Sequence, residues 1–460
     1  MRSLRDTTHA LDAGLASVRQ QFSVPTDFPP AVSAAAAEAA HRAPTEHVDR
    51  TDQPFVTLDP AASTDLDQAF AMSASGDDLL LQYAIADVAW FVRDGDAVDV
   101  EAWQRGTTLY LPDGKASLYP PVLAEGAASL LPDGPRPAVV FHVRVAPDGK
   151  AALDGAERAI VRSRAKLAYD SVTDVQVPPQ FAEFARRIEA AETARGAGGL
   201  EPPEQVVERD DGHYQLAFKP RLASEASNAA LSLAANLAVA QALLAAHVGL
   251  FRVMPAPDER AVRRLRHTAQ AFGLQWPAAQ SLDAFARSLD PNDPRHAAFM
   301  LAERRAGGGA SYVTYQPGVT PWHAAMAATY THATAPLRRL ADRFVVETAL
   351  AVANGKPVPD KVLAALPNLP DAMAHADALA SRVDHAVIDL AEAVMMQGRE
   401  GQTFAAVVVD DDDESSRIQL STMAVVAKLK THGVKPGDEV RVKLVSVDAT
   451  QRTVQFERVA

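Results

Sequence analysis

Three aspartates within one short stretch are the residues of this chain with the clearest chemical potential. Residues 55 to 72 read FVTLDPAASTDLDQAFAM and hold Asp59, Asp65 and Asp67, with no basic residue among them. Asp65 and Asp67 stand two apart, so on extended backbone both carboxylates leave the same face, and a turn from Pro60 to Ser63 returns the chain towards Asp59. Carboxylates this close raise one another's pKa unless a cation neutralises them. An all-oxygen donor set best suits Mg²⁺ or Mn²⁺. A lone DxD also occurs as a turn cap or a solvated pair, so the surrounding chain has to decide.

Outward from this turn, Phe55, Val56 and Leu58 read as the end of a strand, and apolar residues resume at Leu66, Ala69 and Phe70. Asp77 to Val92 reads as a buried strand or pair of strands. Asp87 inside that run needs a polar partner, so it is either a structural hydrogen-bonding residue, the expected role, or a further member of the acidic site. The following Pro- and Gly-punctuated segment interleaves Arg105, Tyr110 and Tyr119. Such interleaving suits base stacking beside phosphate contacts, and equally a tyrosine filling a core edge.

On the N-terminal side, Leu4, Leu11, Leu15, Val18 and Phe22 recur at helical spacing, and a second helix is expected from Pro29 or Pro30 to about Arg42. The two are expected to form a small helical module over residues 1–50. Residues 180–224, with their GAGG and EPPEQ patches, are expected to wander over the surface. Helices are expected over 225–290, and a last one from Asp371 to Met396. From Gln402 onward TFAAVVVD, RIQLST, DEVRVKLVSVD and TVQFERV alternate as short strands, which predicts a five-stranded OB barrel over 401–460. The fold class is therefore α+β and multidomain, with residues 51–400 as the central unit.

Composition narrows the chemistry. At 460 residues the chain should hold two or three domains, and 48% apolar residues is ordinary for a soluble globular protein. Without a single cysteine, disulfides, thiolate zinc sites and a cysteine nucleophile are excluded, and a cytoplasmic location is the expectation. The N-terminus lacks the apolar core of a signal peptide. The Ala-rich run from Ala229 to Leu250 carries Ser232, Asn236, Gln241 and His247, so it reads as a buried helix and no membrane is expected. A net charge of −13 argues against a protein that coats nucleic acid through a broad basic surface. It leaves room for a basic groove. Basic residues cluster at Arg158, Arg162, Arg164 and Lys166, at 260–266 and at 338–343, and a solvated helix face is the expectation for the middle cluster. Gly307, Gly308 and Gly309 lack the lysine and the strand-to-helix setting of a phosphate loop, so no nucleotide cofactor is expected.

Five ordered blocks then share one resemblance. TLDPAASTDLDQAF, YAIADVAWFV, RGTTLYLPDG with YPPVLAEGAASLLP, SRAKLAYDSVTD and YTHATAPLRRLADR resemble the catalytic RNB domain of the RNase II and RNase R family, and the C-terminal strands resemble its S1 domain. The resemblance implies an RNB-type mixed sheet flanked by helices. It implies a 3′-to-5′ exoribonuclease that hydrolyses single-stranded RNA to nucleoside 5′-monophosphates with two Mg²⁺ ions. Asp59, Asp65 and Asp67 match three of the four aspartates of the family, with Asp67 at the position least dispensable, and Gln68 stands where the fourth is expected. A neutral amide oxygen there would hold the second ion more weakly. Tyr110 and Tyr169 match aromatic guides for the RNA 3′ end, and Arg338 matches the arginine that grips the phosphate at the scissile bond. Ala335 and Leu340 replace the usual Ser and Tyr of that motif, and Ala229 and Ala230 stand where paired glutamates are usual. Lys428, Lys430, Lys435, Arg441 and Lys443 would meet RNA on the barrel. A monomer is expected, and the departures at Gln68 and Ala229–Ala230 keep open an RNA-binding or regulatory protein with a weakened site.

Overall fold

The computed structural model describes residues 4–5, 10–197, 204–210, 213–219, 221–290, 293–411, 416–430 and 433–459. The acidic loop after Asp411 and most of the GAGG–EPPEQ stretch lie outside the described residues.

A five-stranded mixed sheet forms the centre of the molecule. Its strands run in the spatial order Val48–Asp49, Ala151–Val161, Arg136–Val145, Asp78–Ala86, Gln68–Ser75, antiparallel except for the first pair. Alternation explains the strand next to the aspartates: Leu79, Leu81 and Tyr83 are buried while Leu80 and Gln82 between them are half-buried. The run does not stay extended to Val92. Asp87 caps a short helix, Val88–Phe91, by accepting the Trp90 amide. The same carboxylate is buried against Arg158 Nε at 2.8 Å, with His47 Nε2 at 3.1 Å, so its role is structural.

Against the sheet lies the Ala-rich helix Ala223–Ala245. It is long and apolar enough to cross a membrane, yet it is mostly buried between the strand Ala151–Val161 and the helices Phe181–Arg195 and Leu340–Ala353. Small side chains let these neighbours approach closely. The described residues between 180 and 219 form regular elements where a wandering surface segment is the expectation. Phe181, Phe184 and Ile188 bury one face of the helix Phe181–Arg195, and Glu204–Asp210 pairs with His213–Lys219 in a hairpin.

The two N-terminal helices do not make a module of their own. Leu11, Leu15 and Val18 of Ala10–Gln21 join the core shared by the long helix Leu369–Met396 and the C-terminal barrel. Val32, Ala36 and Ala39 of Pro30–Ala40 join the core under the five-stranded sheet instead. Each helix is therefore held by a different apolar cluster.

The C-terminal strands close into a five-stranded barrel in the order Thr403–Asp411, Ser416–Leu420, Val426–Leu429, Thr453–Val459, Glu439–Asp448. Glu392 on the long helix accepts the Val426 amide at 2.8 Å and the Gln205 amide group at 2.6 Å, tying barrel, helix and hairpin together.

Candidate active site

Asp59 ends the strand Thr57–Asp59, which pairs in parallel with Lys166–Ala168 so that Asp59 faces Ala168. The next amide, that of Tyr169, donates to the Asp59 carbonyl at 3.3 Å. Asp65 and Asp67 follow on extended backbone pinned from both sides of buried Leu66: its amide donates to Ser129 Oγ and its carbonyl accepts the Leu130 amide, both at 2.9 Å. The aspartates are thus fixed by backbone bonds before any ligand is considered.

Two segments distant in sequence complete the cluster. RGTTLY reverses the chain at Gly106, whose φ of +65° places it in the left-handed region and where a Cβ would stand 2.5 Å from Ala376. The Thr108 amide and the Thr107 hydroxyl then donate to the Arg338 carbonyl, each at 2.9 Å. Hydrogen bonds within the 333–342 loop fix it further: Asp342 accepts the Thr334 and Ala335 amides and both arms of Arg339. Burial works against its ionisation, but Arg339 and the amides hold the Asp342 carboxyl below its ordinary value. Braced in this way, the loop donates the Leu337 amide to Asp67 Oδ1 at 2.7 Å and sets Arg338 Nε 3.3 Å from Asp67 Oδ2.

Two of the three carboxylates are short of positive charge. Burial pushes Asp67 up to about 7, opposed by Arg338 and the Leu337 amide, and burial pushes Asp59 up to about 7 as well, opposed by Arg338 and Lys166. Asp65 is different. Lys115 Nζ stands 2.7 Å from its Oδ1, and the Tyr110 hydroxyl donates to Oδ2 at 3.1 Å. Tyr110 and Lys115 are directly opposite one another in the hairpin formed by Leu109–Leu111 and Gly114–Ala116, which delivers both to the same carboxylate. The PDG turn is a hairpin signal that would have predicted this pair; sequence reading missed Lys115, whereas Lys166 belongs to the basic cluster that the sequence shows.

Gln68 does not present a free oxygen to this cluster. Its side-chain carbonyl already accepts the Tyr83 hydroxyl and Ser232 Oγ, the latter at 3.0 Å, and the two hydroxyls lie 2.7 Å apart. The expected fourth ligand is instead part of a neutral hydrogen-bonded triad. Tyr169 does adjoin the site: Asn228 Nδ2 donates to its hydroxyl at 2.9 Å, and burial followed by the Asp59 charge pushes that phenol up to about 12. Tyr110 is 53% exposed, leaving its ring face open. Arg105 has a different task from the expected RNA contact. Its buried guanidinium pairs with Glu101 at 2.7 Å, donates to the Ser117 and Asp27 carbonyls and stacks over Phe28. Lys428 and Lys430 are exposed on the barrel, and no contact between either of them and the carboxylates is seen among the described residues. His332 is buried against the Tyr312 hydroxyl at 2.7 Å, with its pKa well below the ordinary value through burial, so it is a neutral structural residue.

Among the described residues no group of three His, Asp or Glu side chains converges as a finished metal cage. The donor set nevertheless fits a hard cation in part. Asp59 and Asp67 are under-compensated anions, whereas Asp65 already has a lysine. Asp59 and Asp67 are therefore the residues that would hold an ion, with water and substrate oxygens completing its shell.

Comparison with known proteins agrees with this architecture. The RNB domain matches residues 47–352, and the RNase II-type exonuclease C-terminal S1 domain matches residues 402–459. This chain belongs to the RNB family, that of the RNase II and RNase R exoribonucleases. Among its relatives, ribonuclease R of Aquifex aeolicus is 24% identical over 95% of this chain and 69% of its own length. Ribonuclease R of Chlamydia muridarum is 26% identical over 71% of this chain, and the match spans only 50% of that protein. The solved structure of Mycoplasma genitalium RNase R in complex with ribose methylated single-stranded RNA superposes with a TM-score of 0.86 at 20% identity, covering 98% of this chain and 78% of that one.

Proposed function

We propose that the protein is a divalent-cation-dependent exoribonuclease that hydrolyses single-stranded RNA from the 3′ end and releases nucleoside 5′-monophosphates. The reading is supported by the family and carried by one observation: Asp67 meets Arg338, far away in sequence, at 3.3 Å, and the Leu337 amide of the same loop also holds the carboxylate. Magnesium or manganese, when bound, would polarise the scissile phosphate and supply the hydrolytic oxygen. The chain's own groups do the rest. Asp59 and Asp67 provide hard anionic donors. Arg338, 44% exposed and steadied by Asp67, can direct its remaining N–H groups at a phosphate oxygen and bind the charge that builds up there more tightly than the resting diester. Tyr110 offers a stacking face beside Asp65, and Tyr169 offers another beside Asp59.

A second reading has specific support in the Gln68–Tyr83–Ser232 triad, which leaves the site with fewer anionic donors. On that reading the protein binds RNA and turns it over poorly or not at all. Incubating 5′-labelled single-stranded RNA with Mg²⁺ or Mn²⁺, with Asp67→Asn as control, separates the two. Progressive shortening with mononucleotide product, lost in the variant, supports hydrolysis, whereas tight binding without shortening supports the second reading.

A further inference from the structure

We infer that the exposed face of the helix Glu259–Ala271, with Trp322 beside Met254 in the segment that leads into it, is an accessory docking track for single-stranded RNA, separate from the carboxylate site; the inference rests on the RNA-directed reading above. The helix reads ERAVRRLRHTAQA and buries Ala261, Leu265 and Ala269. Arg260, Arg263, Arg264 and His267 fall at intervals of three, four and seven from the first of them. All four are exposed, so they form one stripe along the helix, opposite its buried face. In a chain of net charge −13 this is a local reversal of sign.

The stripe has little internal use. Arg260 and Arg264 carry no side-chain hydrogen bond or ion pair among the described residues. Arg263 meets only Glu259, at 3.4 Å with both groups mostly exposed, a pairing of small value. Asp258 is occupied as the helix cap, accepting the Ala261 amide at 2.7 Å. Arg266 provides the contrast. It turns to the other side, where it stacks on Trp276 and donates to the Pro277, Ala278 and Gln280 carbonyls. One arginine of this helix serves the fold and three are left to solvent.

Both ends of the stripe adjoin features that suit a nucleic-acid strand. At the N-terminal end the Met254 amide donates to the Trp322 carbonyl at 3.2 Å, just before the chain enters the helix, and Trp322 is 51% exposed. At the C-terminal end the barrel loop presses on the helix so closely that a Cβ on Gly437 would stand 2.5 Å from the Ala271 carbonyl oxygen. That loop also carries exposed Lys435. The acids nearby are engaged, Asp438 by the Lys435 amide and Glu439 by Arg295. The helix therefore spans roughly 20 Å of basic surface from an open aromatic ring to the S1-like barrel. Phosphate contacts plus a stacking face favour a single strand, because a duplex keeps its base faces covered.

The test uses the full chain in EDTA, so that nothing is cut, and measures anisotropy of a labelled single-stranded oligoribonucleotide over a salt series. Replacing three arginines, Arg260→Gln, Arg263→Gln and Arg264→Gln together, should make the slope of log K against log salt shallower by about 2 and weaken binding about tenfold at physiological salt. The corresponding triple lysine variant should keep the wild-type slope. Trp322→Ala should weaken binding by about fivefold or more without changing the slope. A glutamine triple variant with wild-type affinity and slope overturns the docking track while leaving the nuclease reading standing. Absence of any RNA binding by the wild type overturns both. Preference for duplex over single strand, lost in the same variant, overturns the single-strand assignment.

Discussion

Two kinds of desolvated acid occur in the RNB unit, and they are treated in opposite ways. Asp342 receives two arms of Arg339 and two backbone amides, and Asp87 receives Arg158, His47 and an amide. Asp59 and Asp67 receive less than burial demands, and their carboxyls rise to about 7. The first kind is complete without a ligand and holds the loops in place. The second kind is completed only by something that arrives. Arg338 opposes burial at both carboxylates and Lys166 opposes it at Asp59, yet burial outweighs these positive groups at each.

Replacing an acid of each kind gives the sharpest contrast. Asp67→Asn should lower mononucleotide release by roughly three orders of magnitude or more while the chain still binds RNA within a few-fold of wild type, measured by product chromatography and anisotropy. Arg338→Ala should cost on the order of 10² to 10³ in kcat, with a smaller change in KM. Asp342→Ala should act through the fold instead, lowering urea stability by roughly 3 to 5 kcal/mol because Arg339 is left buried without its partner. Loss of activity without loss of stability in that variant would break the contrast.

Smaller effects follow from titration. If Asp59 and Asp67 are the cation donors, calorimetric Mn²⁺ affinity should rise as pH climbs from 6 towards 8, since protons leave carboxyls whose pKa values are near 7. Affinity that stays flat over that range would remove them as donors. Glu392 behaves as the structural counterpart elsewhere in the chain. Burial pushes it up to about 8. A carboxyl raised in the folded state contributes stability that is full below its unfolded value near 4.5 and is lost as pH rises through 8. Glu392→Gln, which keeps the acceptor for Val426 and Gln205, should flatten that decline and add on the order of 1 to 3 kcal/mol at pH 8 in urea melts.

Much of this was written locally in the chain. Alternating apolar residues specify the strands, Pro30 marks a helix start, and the aspartate spacing together with the PLRR block singles out the candidate site residues, whereas the short helix capped by Asp87 lies in a run that reads as strand. The OB-like barrel is equally local, since each strand is bounded by its own turn. Local pattern did not reveal that Arg105 is a core residue, that the N-terminal helices belong to two different cores, or that Gln68 is held by Tyr83 and Ser232. Those outcomes depend on partners far away in sequence. Residue type and spacing fix which groups can ionise, stack or span a turn. Whether a given charge is matched, and therefore spent on the fold or left for a ligand, is decided only when distant segments pack and exclude water around it.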